Sequence, residues 1–196
     1  MNVKNFLNKH KSTICGVIIL FAFRWSFADH YRVPTGSMLP TIQLGDHIFT
    51  NKLAYDFKVP FTNLNIFRTS EPQRGDVMVF LYPKNESINY VKRVIGLPGE
   101  TFKIEDNQIY INGNKLKEHY LTEEAQHAHY QHQIEIKIPQ DMYFMMGDNR
   151  ENSSDSRYWG LVPRKNVKGK ALRVLWNISF NEILPTIDIW RTGKSL

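Results

Sequence analysis

The sequence predicts a mainly β domain, an antiparallel sheet or barrel, behind a single N-terminal apolar helix. Two observations carry this. Short runs of β-branched and aromatic residues recur at close spacing, each bounded by Gly, Pro, Asn or Asp. One apolar stretch, Ile14 to Phe23, stands apart from them, with lysines before it and aromatic residues after it.

The elements follow in order. Lys4, Lys9 and Lys11 precede the apolar stretch, and Arg24, Trp25, Phe27 and Tyr31 follow it. A helix over 13–28 would be about 24 Å long at ~1.5 Å per residue, short of a hydrocarbon core of about 30 Å. A snorkelling Arg24 and a collar of Trp25 and Phe27 make up the difference, and the lysines put the N-terminus on the cytoplasmic side. Three parts are therefore expected: a basic cytoplasmic segment 1–12, a transmembrane anchor 13–28 and an extracytoplasmic β domain 29–196. Ser26-Phe27-Ala28 also fits a cleavable signal, but Arg24 and Trp25 stand where such a signal carries small residues.

Beyond the anchor, strands are expected at His47–Thr50, Asp76–Tyr82, Tyr90–Ile95, Phe102–Ile104, Gln108–Ile111, Ile134–Ile138, Met142–Met146 and Ala171–Ile178. Gly45-Asp46, Arg74-Gly75 and Asp106-Asn107 turn the chain, and Asn112-Gly113 is a strong hairpin signal. The run Phe57 to Phe67 reads as a loop rich in large apolar groups, either core filling or an apolar lip dipping into a bilayer. The polar segment 118–133 holds His119, His127, His129 and His132. With no cysteine beside them it reads as a solvated loop rather than a metal site.

Composition narrows the chemistry. The chain has 196 residues, 42% of them hydrophobic, and a formal charge of +6. No zinc-finger or RNP pattern accompanies that charge, so a membrane surface is expected rather than nucleic acid. The single Cys15 lies in the apolar stretch and forms no internal disulfide. No cofactor or metal is called for.

Three strings carry candidate chemistry. In Val33-Pro34-Thr35-Gly36-Ser37-Met38-Leu39-Pro40-Thr41, prolines stiffen a turn and Gly36 permits an unusual backbone angle before Ser37. That presentation suits a nucleophile; a linker ST-turn is the plainer reading. A serine needs a base. His30 and His47 are near in sequence, but Lys92, mid-strand between Val91 and Arg93, is the stronger candidate. If its face turns inward, desolvation lowers the amine pKa from about 10.4. Alternation allows only one of Lys92 and Arg93 to face the core, and arginine cannot shed its proton. The third string, Met146 to Pro163, is an ordered polar loop. In it Asp155 could pair with Arg157, Asp148 with Arg150, and Ser153 could bond a lysine amine.

Together these strings resemble the bacterial type I signal peptidase (leader peptidase) family. Pro34–Thr41 resembles its nucleophile box and Gly45–Lys52 the box that follows. Arg74–Val77 with Tyr90–Gly99 resembles the lysine box, and Gly147–Gly160 the last box. The resemblance implies a membrane-bound serine endopeptidase with a Ser37–Lys92 dyad that removes signal peptides from exported preproteins through an acyl-enzyme. It implies that Ser153 positions the amine and that Thr35 helps the backbone N–H of Ser37 form an oxyanion hole. Asp155 and Arg157 match a structural salt link. Shallow pockets for Ala-x-Ala sites would be lined by Tyr31, Val33, Ile42, Ile48, Tyr90 and Val91. It further implies a place in the bacterial inner membrane, with preprotein signal peptides, the lipid bilayer and the export translocon as partners and no nucleic acid. A specialised peptidase for one conjugation or pilus substrate, and a non-enzymatic membrane-tethered β domain, are the alternatives.

Overall fold

The computed structural model describes residues 6, 9–59, 64–130, 133–179 and 186–196, with the side chains of 22–26, 179, 186 and 187 outside the described set. The helix α1 spans Lys11–Phe27. It runs directly into β1 (Ala28–Arg32), so the expected helix end at Ala28 is the first strand residue. Among the described residues no helix is long and apolar enough to cross a membrane. The expectations for Lys4, for Arg24 and Trp25, for residues 60–63 and for His132 lie outside the described residues or side chains.

The sheets are antiparallel. They are built from β2 (Asp46–Asn51), β3 (Asp56–Lys58), β4 (Asn65–Arg68), β5 (Val77–Tyr82), β6 (Asn85–Gly96), β7 (Thr101–Glu105), β8 (Gln108–Ile111), β9 (Asn114–Lys115), β10 (Ile134–Lys137), β11 (Met142–Met146), β12 (Val162–Pro163), β13 (Val167–Ser179) and β14 (Thr186–Asp188). One sheet has the order β1-β2-β13-β5-β6-β11-β12, with β14 on β13; a second runs β10-β7-β8-β9; β3 and β4 form a hairpin of their own. Short helices, α2 (Glu123–Gln126) and α3 (Ser156–Trp159), lie in the connections.

Turn chemistry explains the hairpins. Asp106 and Asn107 both take positive φ between β7 and β8, as do Asn112 and Gly113 between β8 and β9. These are the primed turns whose twist matches paired strands. The large sheet is buried on both sides at its centre. Met78 and Phe80 of β5 pack with Val94, Tyr143 and Trp159, whereas Val77 and Val79 pack with Val33, Met38, Ile42 and Ile48. The small sheet closes a third cluster around Phe102, Ile104, Ile109 and Phe144.

Two expectations need correction. The run 57–67 contains the β3–β4 hairpin rather than a loop, held by pairing of Phe57 with Phe67. Its Leu64, Ile66 and Phe67 are exposed, so these three do not fill the core. The segment 118–133 is not solvated throughout: Leu121 and Ala128 are buried, and Glu118 is drawn inward by Arg150.

Candidate active site

Two backbone bonds set the first loop. Val33 N donates to Asp46 O (2.8 Å) and Gly45 N to Val33 O (2.9 Å), pinching off 34–44 as an excursion between β1 and β2. Met38 and Ile42 anchor it by full burial in the core. Ser37 is left at the rim, 9% exposed. Gly36 is not in the left-handed region, contrary to expectation. A Cβ there would meet only the ends of two flexible side chains, at 2.9 Å from Leu39 Cδ1 and 3.2 Å from Leu44 Cδ1, which can move aside.

The second component comes from β6, where Lys92 pairs opposite Met78 and Arg93 opposite Val77. Both are buried, at 4% and 5% exposure. The expectation that only one could face the core fails because β6 has core on both faces. Arg93 is compensated: its Nε donates to Asp148 Oδ1 (2.8 Å), its Nη2 to Oδ2 (2.6 Å) and its Nη1 to Gly75 O (2.7 Å). Lys92 instead meets a hydroxyl: Nζ and Ser37 Oγ are in direct hydrogen-bond contact. Burial brings the amine down from 10.5 to about 8, opposed by Asp155 and Asp148 and assisted by Arg157.

The polar loop 147–155 forms the wall behind both. Asn149 N donates to Ser37 O (3.1 Å), and Asn149 Nδ2 to Gly36 O (3.1 Å), so the loop grips the backbone that carries the serine. Gly147 permits this approach. A Cβ there would sit 2.3 Å from Ser37 O and 2.2 Å from Ser153 Oγ. Asp155 binds Arg157 through Nε (2.8 Å) and Nη2 (2.7 Å), and accepts from Gly147 N (3.1 Å). Asp148 does not pair with Arg150. It takes Arg93 and Thr41 Oγ1 (2.6 Å), while Arg150 goes to Glu118, to Tyr130 Oη (3.0 Å) and to Gly147 O (3.1 Å). Ser153 Oγ is buried and makes no hydrogen bond with any described residue.

A cleft of about 740 Å³ opens over the pair. Tyr31, Val33, Ile48, Tyr90 and Val91 line it, as do Thr35, Ser37 and Lys92. Ile42 does not; it is fully buried beneath the loop. His30 and His47 are not brought to the serine. Their neighbours Tyr31 and Ile48 face the cleft, so alternation turns both imidazoles to the other face, where His47 stacks on Trp176 at 5.1 Å. His129 Nδ1 lies 3.1 Å from Asn107 Nδ2. Among the described residues no three His, Cys, Asp or Glu side chains gather as a metal site.

Sequence reasoning gave no role to Asn149, Gly147 or Glu118. The first two lay inside the quoted box, where Gly and Asn read as turn residues. Glu118 carried no signal at all, because its partner is 32 positions away.

The arrangement is a buried, depressed amine against a serine hydroxyl in an apolar cleft, which suits proton abstraction and acyl transfer. The family model described as "Signal peptidase, peptidase S26" matches residues 7–176. A signal peptidase I of Pseudomonas aeruginosa is 36% identical over 199 residues, covering 84% of this chain and 70% of that one. One of Buchnera aphidicola subsp. Acyrthosiphon pisum is 31% identical over 257 residues, covering 98% and 80%. A solved signal peptidase I from Enterococcus faecalis is 37% identical with a TM-score of 0.46, covering 52% of this chain and 97% of that one.

Proposed function

The chain belongs to the signal peptidase family, peptidase S26, and from that premise we propose that Ser37 and Lys92 are its catalytic dyad and that it removes signal peptides from preproteins. The observation that carries this reading is the contact between Ser37 Oγ and a Lys92 amine with its pKa near 8. The neutral amine takes the hydroxyl proton as Oγ attacks the scissile carbonyl. The resulting ammonium returns the proton to the leaving amine, and an ester on Ser37 remains. Lys92 then deprotonates a water that hydrolyses the ester. The backbone N–H of Ser37 and the Thr35 hydroxyl, at the cleft rim, hold the developing oxyanion. Ser153 Oγ is buried against Gly147 without a hydrogen bond, so the expected bond to the Lys92 amine is not made and Ser37 is the hydroxyl in contact with it. Tyr31, Val33, Ile48, Tyr90 and Val91 favour small residues such as Ala beside the cut.

We assign α1 as a single-pass anchor that holds the β domain outside the cytoplasm. Its 17 residues span about 26 Å, and Lys9 and Lys11 precede its apolar part. The test is direct. Ser37→Ala and Lys92→Ala should each bring cleavage of an Ala-x-Ala preprotein in detergent to background, with kcat/KM of the unaltered protein rising about tenfold per pH unit below 8 and levelling above it. Full activity in either variant, or a rate flat from pH 6 to 9, would overturn the dyad.

A further inference from the structure

A second cleft, of about 270 Å³, borders the nucleophile loop. Residues 31–37 line the main cleft without a gap and end on Ser37. Leu39 and Pro40, just beyond that serine in the chain, line the second cleft instead. Asn149 lines both. Its backbone N–H donates to Ser37 O (3.1 Å) and its Nδ2 to Gly36 O (3.1 Å), so it is fixed beside the serine. Ser37 therefore stands where one cleft passes into the other.

Glu124 and Ala125 of α2 and Glu151 of the polar loop also line the second cleft. Local bonds fix these walls. Ala125 N donates to Thr122 Oγ1 (3.3 Å), Gln126 Nε2 donates to Leu121 O (3.2 Å), and Leu121 is buried. Glu151 Oε1 accepts from His129 N (3.3 Å). Asp148 and Arg150 reach the cleft as well, but Arg93 and Glu118 neutralise them. Glu124 and Glu151 are exposed and make no ion pair among the described residues, so the cleft carries their two negative charges.

Position gives the occupant. A preprotein whose Ala-x-Ala residues lie along 31–37 has its scissile carbonyl at Ser37 Oγ, and the residues after the cut leave past that serine. An extended chain advances about 3.3 Å per residue, so the first three residues cover ~10 Å beyond it. The cleft is small and is apolar at Leu39, Pro40 and Ala125, which suits a few side chains rather than a folded partner. We propose that it binds the residues just after the scissile bond, and that Glu124 and Glu151 favour a basic side chain there and disfavour an acidic one. Exposed charges attract weakly in water, so these carboxylates act on the choice among substrates and not on the chemistry. The assignment rests on the reading of Ser37 as the nucleophile.

The experiment measures kcat/KM of the full chain in detergent on soluble Ala-x-Ala peptides. They are identical except that the second and third residues after the cut are both Lys, both Gln or both Glu. The unaltered chain should cleave the Lys peptide about tenfold better than the Glu peptide, with Gln between, and about 1 M salt should shrink that ratio to about twofold. In Glu124→Gln/Glu151→Gln the ratio should fall to about twofold at low salt. The control Glu105→Gln/Glu135→Gln, changed on β7 and β10, should keep it. Each ratio is taken within one protein, so it does not depend on the fraction folded. Equal rates on all three peptides, or a full ratio in the cleft variant, would overturn the assignment. Equal loss in the control would reduce the preference to net charge and overturn it as well. Ala125→Trp tests the cleft without altering charge. It should lower the rate on the Gln peptide about tenfold relative to a peptide that stops at the first residue after the cut, and an unchanged ratio would overturn the subsite. Should the double variant misfold, Glu151→Gln alone carries the comparison. An unaltered chain that cleaves none of the peptides sinks the peptidase reading and the subsite with it, whereas one that cleaves all alike sinks only the subsite.

Discussion

Lys92 carries a charge that water solvates far better than the interior of a sheet does. Its folded pKa near 8 lies below the ordinary 10.5, so between these values the unfolded chain binds more protons than the folded one. Stability therefore rises with pH from about 8 to 10.5, and below 8 the full penalty of burying the ammonium persists. The gap corresponds to about 3 kcal/mol. Lys92→Met should remove that penalty while abolishing cleavage. By urea unfolding the variant should be more stable than the unaltered chain at pH 7, by up to ~3 kcal/mol, with the difference shrinking toward pH 10. Equal stabilities at pH 7 would mean that the amine is not desolvated. The candidacy of Lys92 was legible in the sequence, but the argument for it was incomplete. Alternation could not reveal that Arg93 is buried as well, because its compensation by Asp148 comes from 55 residues away. Nor could composition show that Gly36 stays out of the left-handed region and is bordered only by the flexible ends of Leu39 and Leu44.

At the scale of elements, the strands announced themselves wherever β-branched runs ended in turns that demand positive φ, as at Asn112-Gly113. Strands without that pattern were missed. β1 begins on Ala28-Asp29-His30, which carries no alternation, and it exists because all five of its residues pair with His47 to Asn51 of β2. The segment 118–133 misled for a related reason. Its polar composition hides two side chains that act inward: Glu118 on Arg150, and Tyr120, whose ring lies 4.0 Å from the Arg93 guanidinium. Both arginines reach the polar loop behind the Ser37–Lys92 pair, Arg150 through Gly147 O and Arg93 through Asp148. Glu118 and Arg150 side chains are 9% and 1% exposed, so removing the carboxylate charge strands a buried guanidinium. Glu118→Gln should cost about 3 kcal/mol in urea unfolding and lower kcat, with the pH profile still set by Lys92. Unchanged stability and kcat would return this segment to the role of a solvated loop.

For the whole molecule, the order of the boxes along the chain was readable, but their convergence was not. The nucleophile loop leaves β1, the lysine sits on β6 and the polar loop follows β11, three strands joined only through the sheet order β1-β2-β13-β5-β6-β11. All the groups placed in the site fall within 31–157, and the described contacts of α1 with the β domain include Phe27 on Phe57, next to the apolar hairpin rather than the cleft. As the anchor proposed above, the helix would act on location and not on chemistry. A chain lacking residues 2–27 should fold and cleave a soluble Ala-x-Ala peptide within about threefold of the full chain. With a preprotein embedded in vesicles the two should part. Confining enzyme and substrate to one surface raises their effective concentration, and losing that should lower the cleavage rate on the order of 10²-fold. Both substrates can be followed in one gel assay, with the peptide as internal control. Equal loss on peptide and preprotein, with the sheet intact by circular dichroism, would mean that α1 helps to build the site. Equal retention on both would mean that it tethers nothing.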